Sequence, residues 1–290
     1  MSYIGKKGYT LYKEELTLKE QLFIREQLSV KAYLPKSPVQ PEPFSLYRES
    51  LKKFYMPRYF AEEHFGNASE NKLCLGDDID VEFAGALRPY QDNIVNKYIK
   101  FVGDSGGGLL DVDPGKGKTV MALNIISKLK KKTLVIVHKS FLLNQWIERI
   151  QQFLPTARVG KIQGQTIDID DKDIVIGMLQ SLSMKDYPDD MFDSFGLSIY
   201  DETHHLGAEV FSRCMMKTIT NYTLGLSGTM QRKDGLTKVF KMFLGDIVHK
   251  EKTDTSEHHV LVKSIRYKVD DEDFNEIKYD YRGNPLYSTM

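Results

Sequence analysis

Two glycines, two lysines and a threonine, Gly115-Lys116-Gly117-Lys118-Thr119, stand where an apolar run gives way to a helical pattern. Glycines let backbone approach an anion with no Cβ in the way, and the free N–H groups of a helix start attract phosphate. In this spacing Lys118 reaches the β- and γ-phosphates of a polyphosphate, and the Thr119 hydroxyl ligates Mg²⁺. Val112 stands where such loops usually carry Gly or Ala, so the segment alone is incomplete. Further on, a second apolar run ends in Asp201-Glu202-Thr203-His204. Two acids at the carboxyl end of a strand suit phosphoryl transfer to water. Asp201 then holds the metal, and Glu202 orients and deprotonates the attacking water.

Two other chemistries compete for nearby residues. Gly103-Asp104-Ser105-Gly106-Gly107 has the look of a serine-protease nucleophile segment, but such a site needs a His and an Asp placed earlier in the chain. His64 is the one histidine before Ser105, and the surroundings alternate strand and helix, so these glycines read as a flexible turn. Asp201, His204 and His205 could suggest zinc. Adjacent histidines on a helix diverge by ~100°, unlike the i, i+4 pair of a zinc-binding helix.

The elements that must hold these groups show as short apolar runs at 109–112, 133–138, 173–178, 197–200 and 223–226. Each ends in a polar or Gly-rich corner, as buried strands of a parallel sheet do. The stretches 120–132 and 142–153 are long enough for crossover helices. A doubly wound α/β domain is expected over 86–250. Residues 1–85 read as an accessory unit, with a helix over 17–28 on which Leu18, Leu22 and Leu28 share a face. Pro35, Pro38, Pro41 and Pro43 interrupt regular structure. Residues 251–290 read as a linker and the entrance to a further domain, with strand-like alternation over 260–269.

The 290 residues carry 40 Lys and Arg against 40 Asp and Glu, so a contact with nucleic acid must come from a local patch and not from a global field. Cys74 and Cys214 stand too far apart for a thiolate metal pair and read as two buried apolar residues. No apolar run approaches the ~20 residues that span a bilayer, and the opening lacks a signal-peptide core. The expectation is an intracellular protein with no membrane partner.

As a set, these motifs resemble motifs I, II and III of the superfamily-two DExH-type helicases: the phosphate loop, Asp201-Glu202-Thr203-His204, then Ser227-Gly228-Thr229. Leu87-Arg88-Pro89-Tyr90-Gln91 is similar to their adenine-sensing motif. The segment 134–139, with Gln145-Trp146 behind it, is similar to motif Ia, and Gln180-Ser181-Leu182 to the motif after the next strand. The tail Gln231-Arg232-Lys233-Asp234-Gly235-Leu236 looks XPB-like. Tyr3-Ile4-Gly5-Lys6-Lys7-Gly8-Tyr9 and Tyr47-Arg48-Glu49-Ser50 resemble the helicases of large DNA viruses, the poxvirus-type transcript-release branch.

The resemblance implies a RecA-like P-loop domain with a central parallel sheet, preceded by a small α+β accessory domain, as the first of two motor domains. It implies ATP and Mg²⁺ as ligands, with Gly115, Lys116, Gly117, Lys118 and Thr119 on the phosphates and Arg88 and Gln91 on the adenine. His204, Ser227 and Thr229 would couple nucleotide to movement. His138, Lys139, Gln180 and Ser181 would touch one strand of DNA or of an RNA–DNA hybrid. Gly228 departs from the usual Ala, and Met230 from the Pro that often follows. The implied activity is ATP-driven helicase or translocase motion, weak in this chain alone because the arginines of a second domain stabilise phosphoryl transfer. The rivals are a duplex translocase of a restriction-type system and an ATP-binding scaffold. Transcription machinery is an implied partner, and host cytoplasm or virion an implied location. Arg48, Lys52, Lys53 and Arg58 lie among Phe54, Tyr55, Tyr59 and Phe60, which suits either a single-strand grip or a small core with a solvated basic face.

Overall fold

The computed structural model describes residues 1–31, 41–201, 208–228 and 237–251, and the expected strand at 260–269 lies outside them. The first elements are β1 (Tyr3–Gly5), β2 (Gly8–Tyr12), α1 (Leu18–Gln27), β3 (Ser29–Val30), β4 (Phe44–Ser45), β5 (Arg48–Glu49), β6 (Lys53–Met56), α2 (Arg58–Phe65) and β7 (Glu70–Asn71). Among the described residues, five of these strands make one sheet in the order β5-β6-β2-β1-β7. Thr17 starts α1: its hydroxyl accepts the Glu20 N–H at 3.3 Å while the Glu20 carboxylate accepts the Thr17 N–H at 2.7 Å. The helix forms where expected, but with another face inward. Ile24 and Leu28 are buried while Leu18 and Leu22 are 80% and 57% exposed, because the far turn of the helix joins the apolar cluster that holds Phe54 and Phe60.

The larger sheet is built from β8 (Gly107–Val112), β9 (Thr133–Val137), β10 (Val159–Gln163), β11 (Thr166–Asp168), β12 (Ile174–Met178), β13 (Leu197–Asp201), β14 (Tyr222–Ser227) and β15 (Ile247–Glu251). Between them run α3 (Pro89–Ser105, ahead of β8), α4 (Lys118–Leu129), α5 (Ser140–Phe153), α6 (Leu179–Met184), α7 (Ala208–Met215) and α8 (Thr237–Leu244). The strand order among the described residues is β11-β10-β12-β9-β13-β14-β8-β15, parallel throughout except for the β10–β11 hairpin. All five expected strands are present. The sequence reading missed β11 and β15, which are the edge strands, and β10, which pairs with β11; all three carry polar residues among the apolar ones.

Alternation explains why the central strands read as continuous apolar runs. Val135, Val137, Ile174, Ile176, Ile199 and Leu226 face a core closed by α3, α4 and α5. Leu134, Ile136, Val175 and Tyr200 face the opposite core, which continues into Ile4, Tyr9, Phe54, Met56 and Phe60 of the first elements. Residues Met1–Lys252 therefore form one compact unit. Gly107 permits the contact across that join, because a Cβ there would sit 2.3 Å from the Tyr59 hydroxyl.

The segment with the protease-like pattern is not a flexible turn. It is the end of α3 and the start of β8, and Ser105 donates to the carbonyls of Phe101 and Gly107 at 2.9 and 3.0 Å. Gly106 closes the helix at φ +78°. Cys214 is buried as expected, whereas Cys74 is exposed, since it follows an edge strand.

Candidate functional site

In a parallel sheet all strands present the same end, and their loops gather there. The carboxyl ends of β8, β13 and β14 carry the phosphate loop, Asp201 and Ser227, and those of β9 and β12 lead into His138-Lys139 and Gln180-Ser181. Fold topology thus brings the described site residues onto one edge in two neighbouring sets. Glu202, His204, His205 and Thr229 lie outside the described residues.

The phosphate loop owes its path to two glycines in left-handed backbone, Gly115 at φ +79° and Gly117 at φ +81°. Gly117 precedes the first residue of α4, so the positive helix end opens onto the loop. Lys118 is buried and its ammonium donates to the Val112 carbonyl at 3.1 Å, which holds it over the last residue of β8. The loop is braced from α3. Gln91 Nε2 and the Tyr90 hydroxyl each donate to the Lys116 carbonyl at 2.9 Å, and Gln91 Oε1 accepts the Arg88 N–H at 2.9 Å. Both ends of the Gln91 amide are thereby engaged, which makes Gln91 a positioning residue for the loop in this structure. A Cβ on Gly117 would lie 2.4 Å from Gln91 Nε2.

Gly228 sits behind the same loop. A Cβ there would stand 2.9 Å from Pro114 Cδ and 3.4 Å from Lys118 Nζ, which gives a steric reason for Gly in a motif that usually has Ala. Ser227 is fully buried and lies in register with Asp111 of β8.

Asp201 ends β13, 7% exposed, and its Oδ2 accepts the Trp146 indole N–H at 2.8 Å. This bond from α5 fixes the carboxylate's orientation. Sequence reading noticed Trp146 as part of a motif but missed that role; its being the chain's one tryptophan was the available signal. Thr119 and Asp201 offer hydroxyl and carboxylate oxygens, the donor type Mg²⁺ prefers, and that ion needs only one or two protein oxygens beside phosphates and waters. The residues therefore fit the ion. No cluster of three or more His, Cys, Asp or Glu able to hold a metal occurs among the described residues.

In the second set, Gln180 Nε2 donates to the His138 carbonyl at 3.1 Å, so the ends of β9 and β12 are tied together. Lys139 and Gln180 are exposed. Ser181 Oγ accepts the Gly164 N–H at 2.9 Å, which joins the β10–β11 turn to this surface. That turn was absent from the sequence reading.

Residues 84–232 match the family described as Type III restriction enzyme, res subunit. A protein of Acanthamoeba polyphaga mimivirus that bears the name of an ATP-dependent RNA helicase, L396, is 35% identical over 249 residues, which cover 85% of this chain and 47% of that protein. The DNA 3'-5' translocase XPB2 of Sulfurisphaera tokodaii is 30% identical over 197 residues, 68% of this chain and 43% of the relative. The chain thus spans about half the length of these curated relatives. The structure of the UvsW helicase from bacteriophage T4 superposes with a TM-score of 0.56 at 17% identity, covering 80% of this chain and 93% of that one, which bears out the fold.

Proposed function

The chain belongs to the family of the type III restriction enzyme res subunit, within the superfamily-two helicases, and from that premise we propose that it is the ATP-binding half of an ATP-dependent nucleic-acid helicase or translocase. The observation that carries the reading is the shared strand edge: a braced phosphate loop and a buried, oriented Asp201 beside the exposed Lys139 and Gln180, with His138 itself buried. Lys118 leaves the Val112 carbonyl to neutralise the β- and γ-phosphates, and the α4 start and loop N–H groups hold them. Thr119 and Asp201 would hold Mg²⁺, which would supply charge neutralisation for the phosphoryl oxygens. Glu202 orients the attacking water and takes its proton. Arg88 reads the adenine, joined by Gln91 once its amide leaves the Lys116 carbonyl and the Arg88 N–H, and His204, Ser227 and Thr229 relay the nucleotide state. His138, Lys139, Gln180 and Ser181 follow one strand of DNA or of an RNA–DNA hybrid.

Catalysis at full rate takes arginines from a second RecA-like domain closing on the same ATP, worth ~10³–10⁵ in rate in related phosphoryl-transfer enzymes. Residues 1–290 alone therefore turn over slowly. Steady-state ATPase of this chain and of a longer version, with and without single-stranded DNA and with Lys118→Ala, tests the reading. Stimulated turnover in the longer protein only, lost in Lys118→Ala, is expected. Absence of any Lys118-dependent turnover would move the chain to an ATP-binding scaffold.

The res-subunit match favours a second reading, translocation on duplex without strand separation. Strand-displacement and triplex-displacement assays on the complete protein separate the two. On the viral side of the reading, the site of action is the host cytoplasm or the virion, and transcription machinery is the partner to test.

A further inference from the structure

The amino-terminal sheet has two faces with opposite chemistry. Ile4, Tyr9, Leu11, Phe54 and Met56 point into the shared core. Side chains alternate along a strand, so the residues between them face the other way. Strand register lines these up in a row: Glu70 beside Tyr3, Tyr3 beside Thr10, Thr10 beside Tyr55 and Tyr55 beside Arg48, with Tyr12 beside Lys53 in the next row. Three tyrosines thus share one half-buried surface.

Cations sit on those rings. Lys53 Nζ lies 4.5 Å from the Tyr12 centroid and 5.2 Å from that of Tyr3, Lys72 Nζ lies 4.6 Å from Tyr3, and Lys7 Nζ lies 5.7 Å from Tyr55. Lys53 also donates to the Tyr3 hydroxyl at 3.1 Å. Arg48, Lys7, Lys53 and Lys72 face Glu70 as the acid in these rows, and Glu70 pairs with Lys72 at 3.1 Å. Glu49 follows the other parity and is taken by Lys13 and Arg25 at 2.6 and 3.0 Å. In a chain of zero net charge this is a local basic patch, and it is paved with aromatic rings.

We propose that this outer face, built from Tyr3, Tyr12, Tyr55, Lys53 and Arg48, is a second binding surface for single-stranded nucleic acid, which stacks bases on the tyrosines and places phosphates against the cations. Stacking is tolerant of sequence because every base has a π-face, and a cationic surface is what a phosphodiester chain requires. The split of the basic-aromatic cluster supports it. Phe54 and Phe60 are core, and Arg58 is engaged by Glu62 at 2.8 Å, whereas Arg48, Lys53 and Tyr55 remain on the surface. The inference rests on the reading that the chain engages nucleic acid.

The test is ultraviolet crosslinking of the full 290-residue chain to dT20 and to U20 without nucleotide, with peptide mapping, beside anisotropy titrations of variants. Crosslinks at Tyr3, Tyr12 or Tyr55 are expected. Tyr55→Leu should weaken binding about tenfold, and Lys53→Gln should lower the slope of log K against log salt by about 0.7, one phosphate's worth. The dT20 and U20 arms tell DNA from RNA as the strand held. Crosslinks confined to peptides carrying His138 or Gln180, with unchanged affinity in both variants, would overturn the proposal and leave the motor reading intact. Tyrosine crosslinks without any Lys118-dependent ATP turnover would leave this face standing and remove the motor.

Discussion

Gly117 combines two constraints that no other residue type meets: φ of +81° and a neighbour, Gln91 Nε2, 2.4 Å from where a Cβ would stand. Gly117→Ala should cost roughly 1–2 kcal/mol from the left-handed backbone alone and should push Gln91 off the Lys116 carbonyl. Denaturant unfolding together with binding of a fluorescent nucleotide measures both effects, and native affinity in the variant would show that the loop does not depend on this brace. The two cysteines offer a simpler check. Burial pushes the Cys214 thiol up to about 12, while Cys74 is exposed. A thiol reagent at neutral pH should therefore titrate one cysteine in the native protein and two after denaturation; fast reaction of both would contradict the packing around α7.

Among the elements, α5 holds the candidate site's edge of the sheet in place. It docks by Leu142, Leu143, Trp146 and Ile150, and Trp146 reaches through to Asp201. Trp146→Phe leaves a buried carboxylate short of one donor, which should cost roughly 1–3 kcal/mol. Because Trp146 is the one tryptophan, its emission should change when Mg²⁺ and ATP bind at Asp201, and the change should disappear in Asp201→Asn. A silent tryptophan under saturating nucleotide would mean that Asp201 is not part of the metal site. The link from α3 to β14 works the same way: the buried Tyr98 hydroxyl donates to the Thr223 carbonyl at 2.7 Å.

At the scale of the molecule, the accessory elements and the larger sheet share one apolar core. Tyr59 meets Thr223 at 3.3 Å, Asn71 meets Asn221 at 2.9 Å, and Phe60 belongs to the same cluster as Leu109 and Leu244. Removing residues 1–85 would uncover the part of this cluster that lies where α2 packs on α8. The shortened chain should aggregate or melt without cooperativity. A monomeric 86–290 chain with a sharp melting transition would instead show two independently stable domains.

Legibility followed the physics of each signal. The five central strands and their phosphate loop were readable because strands buried on both faces are apolar at most positions and the loop's glycines take left-handed backbone. The outer strands β10, β11 and β15 were not, since their polar residues give no run to detect. The buried face of α1 was misjudged, because apolar spacing marks a stripe without saying which neighbour will cover it. The sequence by itself determined the class of fold and the chemistry of the loop, through local patterns of burial and backbone freedom. Only the tertiary structure decided that Gln91 braces the loop, that Trp146 aims Asp201, and that Tyr3, Tyr12 and Tyr55 meet on one surface. Those facts depend on strand register and helix docking between residues far apart in the chain, which no local pattern encodes.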